Sequence, residues 1–255
     1  MTQHAPIGAL IRGWRQSRHL SQLALSAEAE VSQKHLSHIE SGRAAPSRDM
    51  VLRLAEHLEV PLRDRNALLV SAGFAPVYRD RPLDAPDMAV ALAAVKTVID
   101  AHAPFPALAF DRTWTMVMAN DAVPILLDGV DPALLEPPVN VVRLALHPKG
   151  LAARLVNLGE VRAHLLERLK RQWRQTRDPA IRALIDEAAG YPLGDPGHAT
   201  PGAIALPFRL RTGQGELSFI TTTTVFGTAT EVSLSELAVE AFLPADPATA
   251  AALRA

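Results

Sequence analysis

The chain has 255 residues, an apolar fraction of 48% and a net charge of −1, which suits two packed domains at roughly 100 to 200 residues each and excludes a generally basic nucleic-acid coat. It contains no cysteine, which excludes disulfides, thiolate nucleophiles and cysteine metal sites together. No long uninterrupted apolar span, signal peptide or lipidation motif is present, so no membrane insertion and a cytoplasmic location are expected.

The distribution of charge says more than its sum, because residues 1–75 carry +2 and the other 180 carry −3. A mildly basic head is compatible with binding a polyanion, with an affinity that falls steeply with salt. The chain opens with a helix over Ile7 to Arg18, where Ile7, Leu10, Ile11 and Trp14 share a face. Arg12, Arg15 and Arg18 fall mostly off that stripe and read as a solvated face. Ser21 to Ser47 then reads as two short helices joined by a tight turn and followed by a basic loop. Ser21 is the expected N-cap, Leu23 and Ala27 share one helical face, and Glu30-Val31-Ser32 is the turn. A second helix starts at Ser32 or Gln33 with Leu36 and Ile39 inward. That leaves Gln33, Lys34, Ser37 and His38 outward, all able to hydrogen-bond base edges or phosphates. Gly42 ends the helix and Arg43 follows where a phosphate contact would help. The bland alternative is an amphipathic hairpin with polar residues on its wet side. Glu40 reads as a structural partner, since a carboxylate facing phosphates would be repelled. Ser47 caps a helix over Arg48 to Leu58, with Met50, Val51, Leu54, Ala55 and Leu58 as its seam. Pro61 to Phe74 closes a five-helix, all-α unit through Leu62, Leu68, Leu69 and Val70, ending at Gly73.

The run Gln22, Val31-Ser32-Gln33, Leu36, Ile39-Glu40-x-Gly42-Arg43 and Pro46-Ser47 resembles the helix-turn-helix of the XRE (Cro/C1-type) repressor family. The resemblance implies that Gln22 braces the sugar-phosphate backbone of a double-stranded DNA operator. It also implies that Ser32, Gln33, Lys34 and His38 read the groove, with the second helix lying in the major groove. Glu30 departs from the pattern by standing where that family usually has glycine, and a positive φ there would cost about 1 kcal/mol.

Residues 75–87, APVYRDRPLDAPD, hold three prolines and mixed charges with little periodicity, which is linker chemistry. The expected division is therefore a head at 1–75, a Pro-rich linker at 76–87 and a second domain at 88–255. That domain begins with a helix over Asp87 to His102. The period then changes, and Pro106 to Asp111 and Trp114 to Ala119 read as strands meeting near Asp111-Arg112-Thr113. Short helices follow at Asn120 to Leu127 and Asn140 to Leu146, and a long one at Arg154 to Arg177. The long helix bears Arg162, Arg168, Lys170, Arg171, Arg174 and Arg177, either a solvated face or a second contact for DNA or an anion. Asp178 to Ala189 is a further helix and residues 190–202 a breaker-rich loop. Strands return at Ala203 to Arg211, Glu216 to Phe226 and Ala238 to Leu243, the second carrying the β-prone run Thr221 to Thr224.

Two strands, several helices and three strands make an α+β domain with a five-stranded antiparallel sheet and inserted helices, a PAS-like order. The Asp111-x-x-Trp114 and Asn120-x-Ala122 run is similar to that of the ligand-binding domain of MmyB-like regulators, a subset of the XRE group. The stretch from Arg48 to Tyr78 is similar to the lead-out of their DNA-binding unit. The resemblance implies a sensor associated with fatty-acid-like ligands. Alternation of side chains makes Leu108, Phe110, Trp114, Met116, Met118, Leu206, Phe208, Phe219 and Thr221 candidates for the wall of a cavity between sheet and helices; plain core is the commoner role for each taken singly, and the resemblance points the set towards a pocket. A carboxylate head would need a cation or hydroxyl, for which Arg143, Arg209 and Asn120 are candidates.

An enzyme is not expected. Glu160 and His164 stand four apart on a helix, but two groups do not make a zinc site. Gly213-x-Gly215 lacks the rest of a nucleotide fingerprint, and there is no nucleophile elbow or P-loop. No cofactor is implied. The reading is a DNA-binding transcription regulator, expected as a homodimer on paired half-sites. Its rivals are a second domain that serves only as a dimerisation or protein-partner platform, and one that is a catalytic module.

Overall fold

The computed structural model describes residues 5–192, 206–213, 215–227 and 229–254. Most of the expected loop at 190–202 with its His198, the strand start at Ala203, and Gln214 of the hairpin turn lie outside the described residues. Contacts divide the chain into two compact units, one running to Arg81 and taking in Arg174–Thr176 and Ala229–Val232, the other made of the rest from Pro82 onward.

The first unit holds five helices: α1 (Ile7–Ser17), α2 (Gln22–Glu28), α3 (Gln33–Glu40), α4 (Arg48–His57) and α5 (Leu62–Ser71). Three of them start on a serine whose hydroxyl accepts a backbone N–H: Ser21 from Ala24, Ser32 from His35 and Ser47 from Met50. Each such cap is worth about 1 kcal/mol. Ile11, Leu25, Leu36, Ile39, Leu54, Leu58, Leu68 and Leu69 form the centre of the core. Leu25 and Ala29, not the expected Leu23 and Ala27, supply the buried side of α2 and its cap; Leu23 is 63% exposed. Two turns of helix offer too few apolar residues to fix the phase of a stripe from sequence. Gly8 lets α1 lie directly on α3, since a Cβ there would stand 2.3 Å from the Ile39 carbonyl oxygen.

The three arginines of α1 and its C-cap are ties within the unit and not a purely solvated face: Arg12 donates to the Glu40 carbonyl at 3.3 Å. Arg15 grips Glu40, and Arg18 donates to the Leu58 and Glu59 carbonyls at 2.9 and 3.0 Å while lying over the Trp14 ring. The start of the expected linker is also fixed to this unit. Asn66 on α5 accepts from the Val77 and Tyr78 amides and donates to the Tyr78 carbonyl, and Arg63 pairs with Asp80.

The second unit is built on a sheet of β1 (Ala107–Phe110), β2 (Met116–Ala119), β3 (Pro207–Thr212), β4 (Gly215–Val225) and β5 (Ala238–Pro244), every pair antiparallel, in the order β2-β1-β5-β4-β3. Its helices are α6 (Ala89–Asp100), α7 (Pro124–Leu127), α8 (Val141–Leu146), α9 (Leu158–Thr176), α10 (Pro179–Gly190) and α12 (Pro247–Ala252), with a single turn α11 (Val232–Ser235) before β5. The two central strands are covered on both faces, and alternation sorts their residues. Ala107 and Ala109 of β1, with Val239 and Ala241 of β5, meet Val95 and Ile99 of α6. Leu108, Phe110 and Phe242 point the other way, into a larger core shared with α7 to α10.

Candidate functional site

On the first unit, α3 shows its inner face through Leu36 and Ile39, which are fully buried. Ser32, Gln33, Lys34 and Arg43 are exposed, and Ser37 and His38 are half-buried. The Ser32 hydroxyl is committed to capping α3. The helix is therefore held from behind and presents a row of hydrogen-bonding side chains in front. Behind it lies a buried charge. Glu40, with none of its side chain exposed, takes Arg15 Nε at 2.6 Å and Nη2 at 2.9 Å, and Gln22 Nε2 at 2.7 Å. Arg12 stands 3.5 Å away. Burial pushes the Glu40 carboxyl up more than any other single influence, yet the hydrogen bonds from Arg15 and Gln22 and the charges of Arg15 and Arg12 together hold it below the usual carboxylate range. Hydrogen bonding to Glu40 raises the Arg15 guanidinium in turn. Glu40 thus ties α1 and α2 to the end of α3. Gln22 is bound to it by one N–H. Glu30 has φ 53°, the left-handed conformation that its position demands.

In the second unit a cavity of about 300 Å³ opens between the sheet and α7 to α9. Leu108, Phe110, Trp114, Met116, Leu206, Phe208 and Thr221 all line it, joined by leucines of α7 and α8, Phe242, His164, Arg168 and Glu240. Met118 and Phe219 do not line it. A register shift between Ala109 and Phe110 sets Met116 against Phe110 but Met118 against Ala109. The extra residue, Val117, turns Met118 towards the α6 core. Phe219 is fully buried, edge-on to Phe242 with centroids 6.0 Å apart, within the core next to the cavity wall.

Trp114 owes its place to the Asp111-x-x-Trp114 turn. Asp111 Oδ1 accepts from the Thr113 and Thr115 amides and the Thr113 hydroxyl, and this holds Trp114 at φ 64°, an uncommon conformation for a bulky residue. The indole stacks on Phe110 at 4.9 Å and donates from Nε1 to Gln172 Oε1 at 2.8 Å. The same side of α9 brings Arg168 over the Trp114 ring at 4.6 Å, and its Nη1 meets Glu240 Oε2 at 2.9 Å.

None of the three expected head-group anchors lines the cavity. Arg143 is forked onto Glu187 at 2.8 Å, and Arg209 pairs with Glu216 at 2.6 Å. Asn120 is spent on the backbone, accepting from the Ala107 and Ala122 amides and donating to the Phe105 and Ile99 carbonyls. Among the described residues the arginine lining the cavity is Arg168, from a run that the sequence leaves as either a solvated face or a contact for DNA or an anion. Arg162 of the same run is also buried and donates to the Ala189 carbonyl at 2.7 Å. Position on a helix wheel separates these two from their neighbours; residue type does not. Glu160 is held by Asn157 at 2.9 Å, and among the described residues no cluster of three metal-ligating side chains exists. No described helix is long and apolar enough to cross a membrane.

A family model for the MmyB-like transcription regulator ligand binding domain matches residues 91–255. A helix-turn-helix model, of the XRE type, matches residues 11–64. A search of the curated proteins returned no match.

Proposed function

We start from the premise that this chain belongs to the family of MmyB-like transcription regulators, DNA-binding proteins with a ligand-binding domain, and we propose that it binds an operator as a homodimer under the control of a small apolar, fatty-acyl-like molecule. Its families are those of regulators and not of enzymes. The observation that carries the sensing role is the cavity beside Trp114, walled almost wholly by apolar side chains with few polar groups, the pattern of a small-molecule site. The strand order β2-β1-β5-β4-β3 supports a PAS-like description of the domain that holds it.

On the DNA side, Gln33, Lys34, Ser37 and His38 would meet base edges and phosphates, with Ser32 at the helix start. Gln22 and Arg43 would fix the head on the backbone. The division we propose is a head at 1–75, a connection at 76–87 whose first residues pack on the head, and a sensor at 88–255, acting in the cytoplasm. A ligand can change operator affinity only by preferring one arrangement of the paired heads.

The test is an operator selected from random DNA, bound by the full chain at fixed salt. Gln33→Ala should reduce discrimination between operator and random DNA by about 1 to 3 kcal/mol, whereas Arg43→Ala should weaken both targets alike. Equal losses for both targets with Gln33→Ala would remove base reading from α3.

A further inference from the structure

Glu240 is out of place by the rules that sort the rest of the sheet. It lies on β5, with Leu108 of β1 opposite on one side and Thr223 of β4 opposite on the other. It faces the cavity from a strand whose other inward residues are Ala238 and Phe242. Its side chain is only 14% exposed, and a carboxylate on an apolar wall survives there only with a partner. That partner is Arg168, itself 22% exposed, which also donates from Nη2 to the Thr223 hydroxyl at 3.1 Å.

The pair keeps unused hydrogen-bonding capacity on two residues that line the cavity. Glu240 Oε1 takes no hydrogen bond among the described residues, whereas Oε2 is held by Arg168. Arg168 uses two of its five N–H groups, one on Glu240 and one on Thr223. The Thr221 hydroxyl lies on the same wall. An acceptor and donors are therefore presented side by side, and the pair that presents them is already neutral.

We propose that Glu240 sets the head-group specificity of this cavity, so that it takes an acyl-chain molecule ending in an uncharged group that both donates and accepts, a primary amide or an alcohol, and discriminates against the free carboxylate. The inference rests on the sensor reading given above and narrows it. An amide satisfies both halves of the pair, donating to Glu240 and accepting from Arg168, without adding charge. A carboxylate can only accept. It would bring a second negative charge against Glu240 in a poorly solvated wall, or take Arg168 away and leave Glu240 buried without its counter-charge.

The full-length chain, freed of apolar occupants on a hydrophobic resin, is titrated calorimetrically at neutral pH with dodecanamide, dodecanol and dodecanoate below their aggregation limits. The wild type should bind the amide and the alcohol at least about tenfold more tightly than the acid. In Glu240→Gln, which keeps the side-chain shape, the acid should gain at least about tenfold while the amide changes less than about threefold. A wild type that binds the acid as tightly as the amide overturns the assignment and leaves the sensor reading standing. So does a Glu240→Gln chain that keeps the full discrimination. Should that variant not fold, the wild-type series decides alone. Failure of all three compounds to bind the wild type removes the sensor reading and this inference together.

Discussion

Removing the Glu40 carboxylate should unfold the DNA-binding unit at moderate temperature, although Glu40 faces away from the outer side of α3. Three hydrogen bonds converge on a side chain with no exposure, two of them from one guanidinium that is 11% exposed. In Glu40→Ala, Arg15 keeps its charge and its burial and loses its partner, a change that costs about 3 to 5 kcal/mol. Against a total stability of about 5 to 15 kcal/mol for a domain, this corresponds to a fall of about 12 to 40 °C in Tm. The assay is native-state hydrogen exchange on the full chain, which reports protection in α1 to α5 separately from the sheet. Replacing Arg15 and Glu40 together by methionine should recover much of the loss, because the buried charge goes with its partner. The pH dependence has a definite sign. A carboxyl held low in the fold contributes stability that is complete above its unfolded pKa and is lost as pH falls through the folded value. The wild type should therefore lose head-domain protection on acidification more steeply than Glu40→Gln. An α1 to α5 protection unchanged within about 1 kcal/mol in Glu40→Ala would refute the reasoning.

Two further substitutions test other parts of the molecule. Glu30→Gly relieves a left-handed φ of 53° at an exposed turn position, and should raise head-domain stability by up to about 1 kcal/mol in the same exchange experiment; a loss would show that the Glu30 side chain has a stabilising contact. Ala145→Phe adds a ring to the cavity wall contributed by α8. It should leave the fold intact, at a cost within about 1 to 3 kcal/mol, and abolish retention of any apolar small molecule in native mass spectrometry. Undiminished retention would place the binding site elsewhere.

The head was legible in sequence because local signals agree there. Serine caps, a left-handed turn at Glu30 and the paired Leu36 and Ile39 specify α2, α3 and their angle without help from distant residues. Strand alternation likewise found seven of the nine expected wall positions, since Leu108, Phe110, Phe208 and Thr221 obey a period of two. It failed at Met118 because the register shift in the β1–β2 pair, which puts Met118 on the same face as Val117, leaves no mark on composition. The polar centre of the cavity was hidden for a different reason. Arg168 sits among arginines of the same kind, and the carboxylate that distinguishes it is 72 positions away. Only the single departure of Glu240 from the apolar alternation of β5 hinted at it. The short helix α12 was missed as well, because its Pro-Ala-Thr-Ala-Ala-Ala sequence offers no apolar stripe; it is anchored instead by Thr249, whose hydroxyl accepts the Ser218 amide at 2.9 Å.

Occupancy of the cavity beside Trp114 should change how tightly the helix-turn-helix holds its operator. The direct measurement is operator affinity of the chain at constant salt, with the cavity empty and then saturated with an acyl compound shown by calorimetry to bind. The expected result is a shift of about fivefold or more in operator Kd, the range of ordinary coupling between two sites, with no shift in Ala145→Phe. An operator Kd unchanged by a ligand that fills the cavity would contradict it.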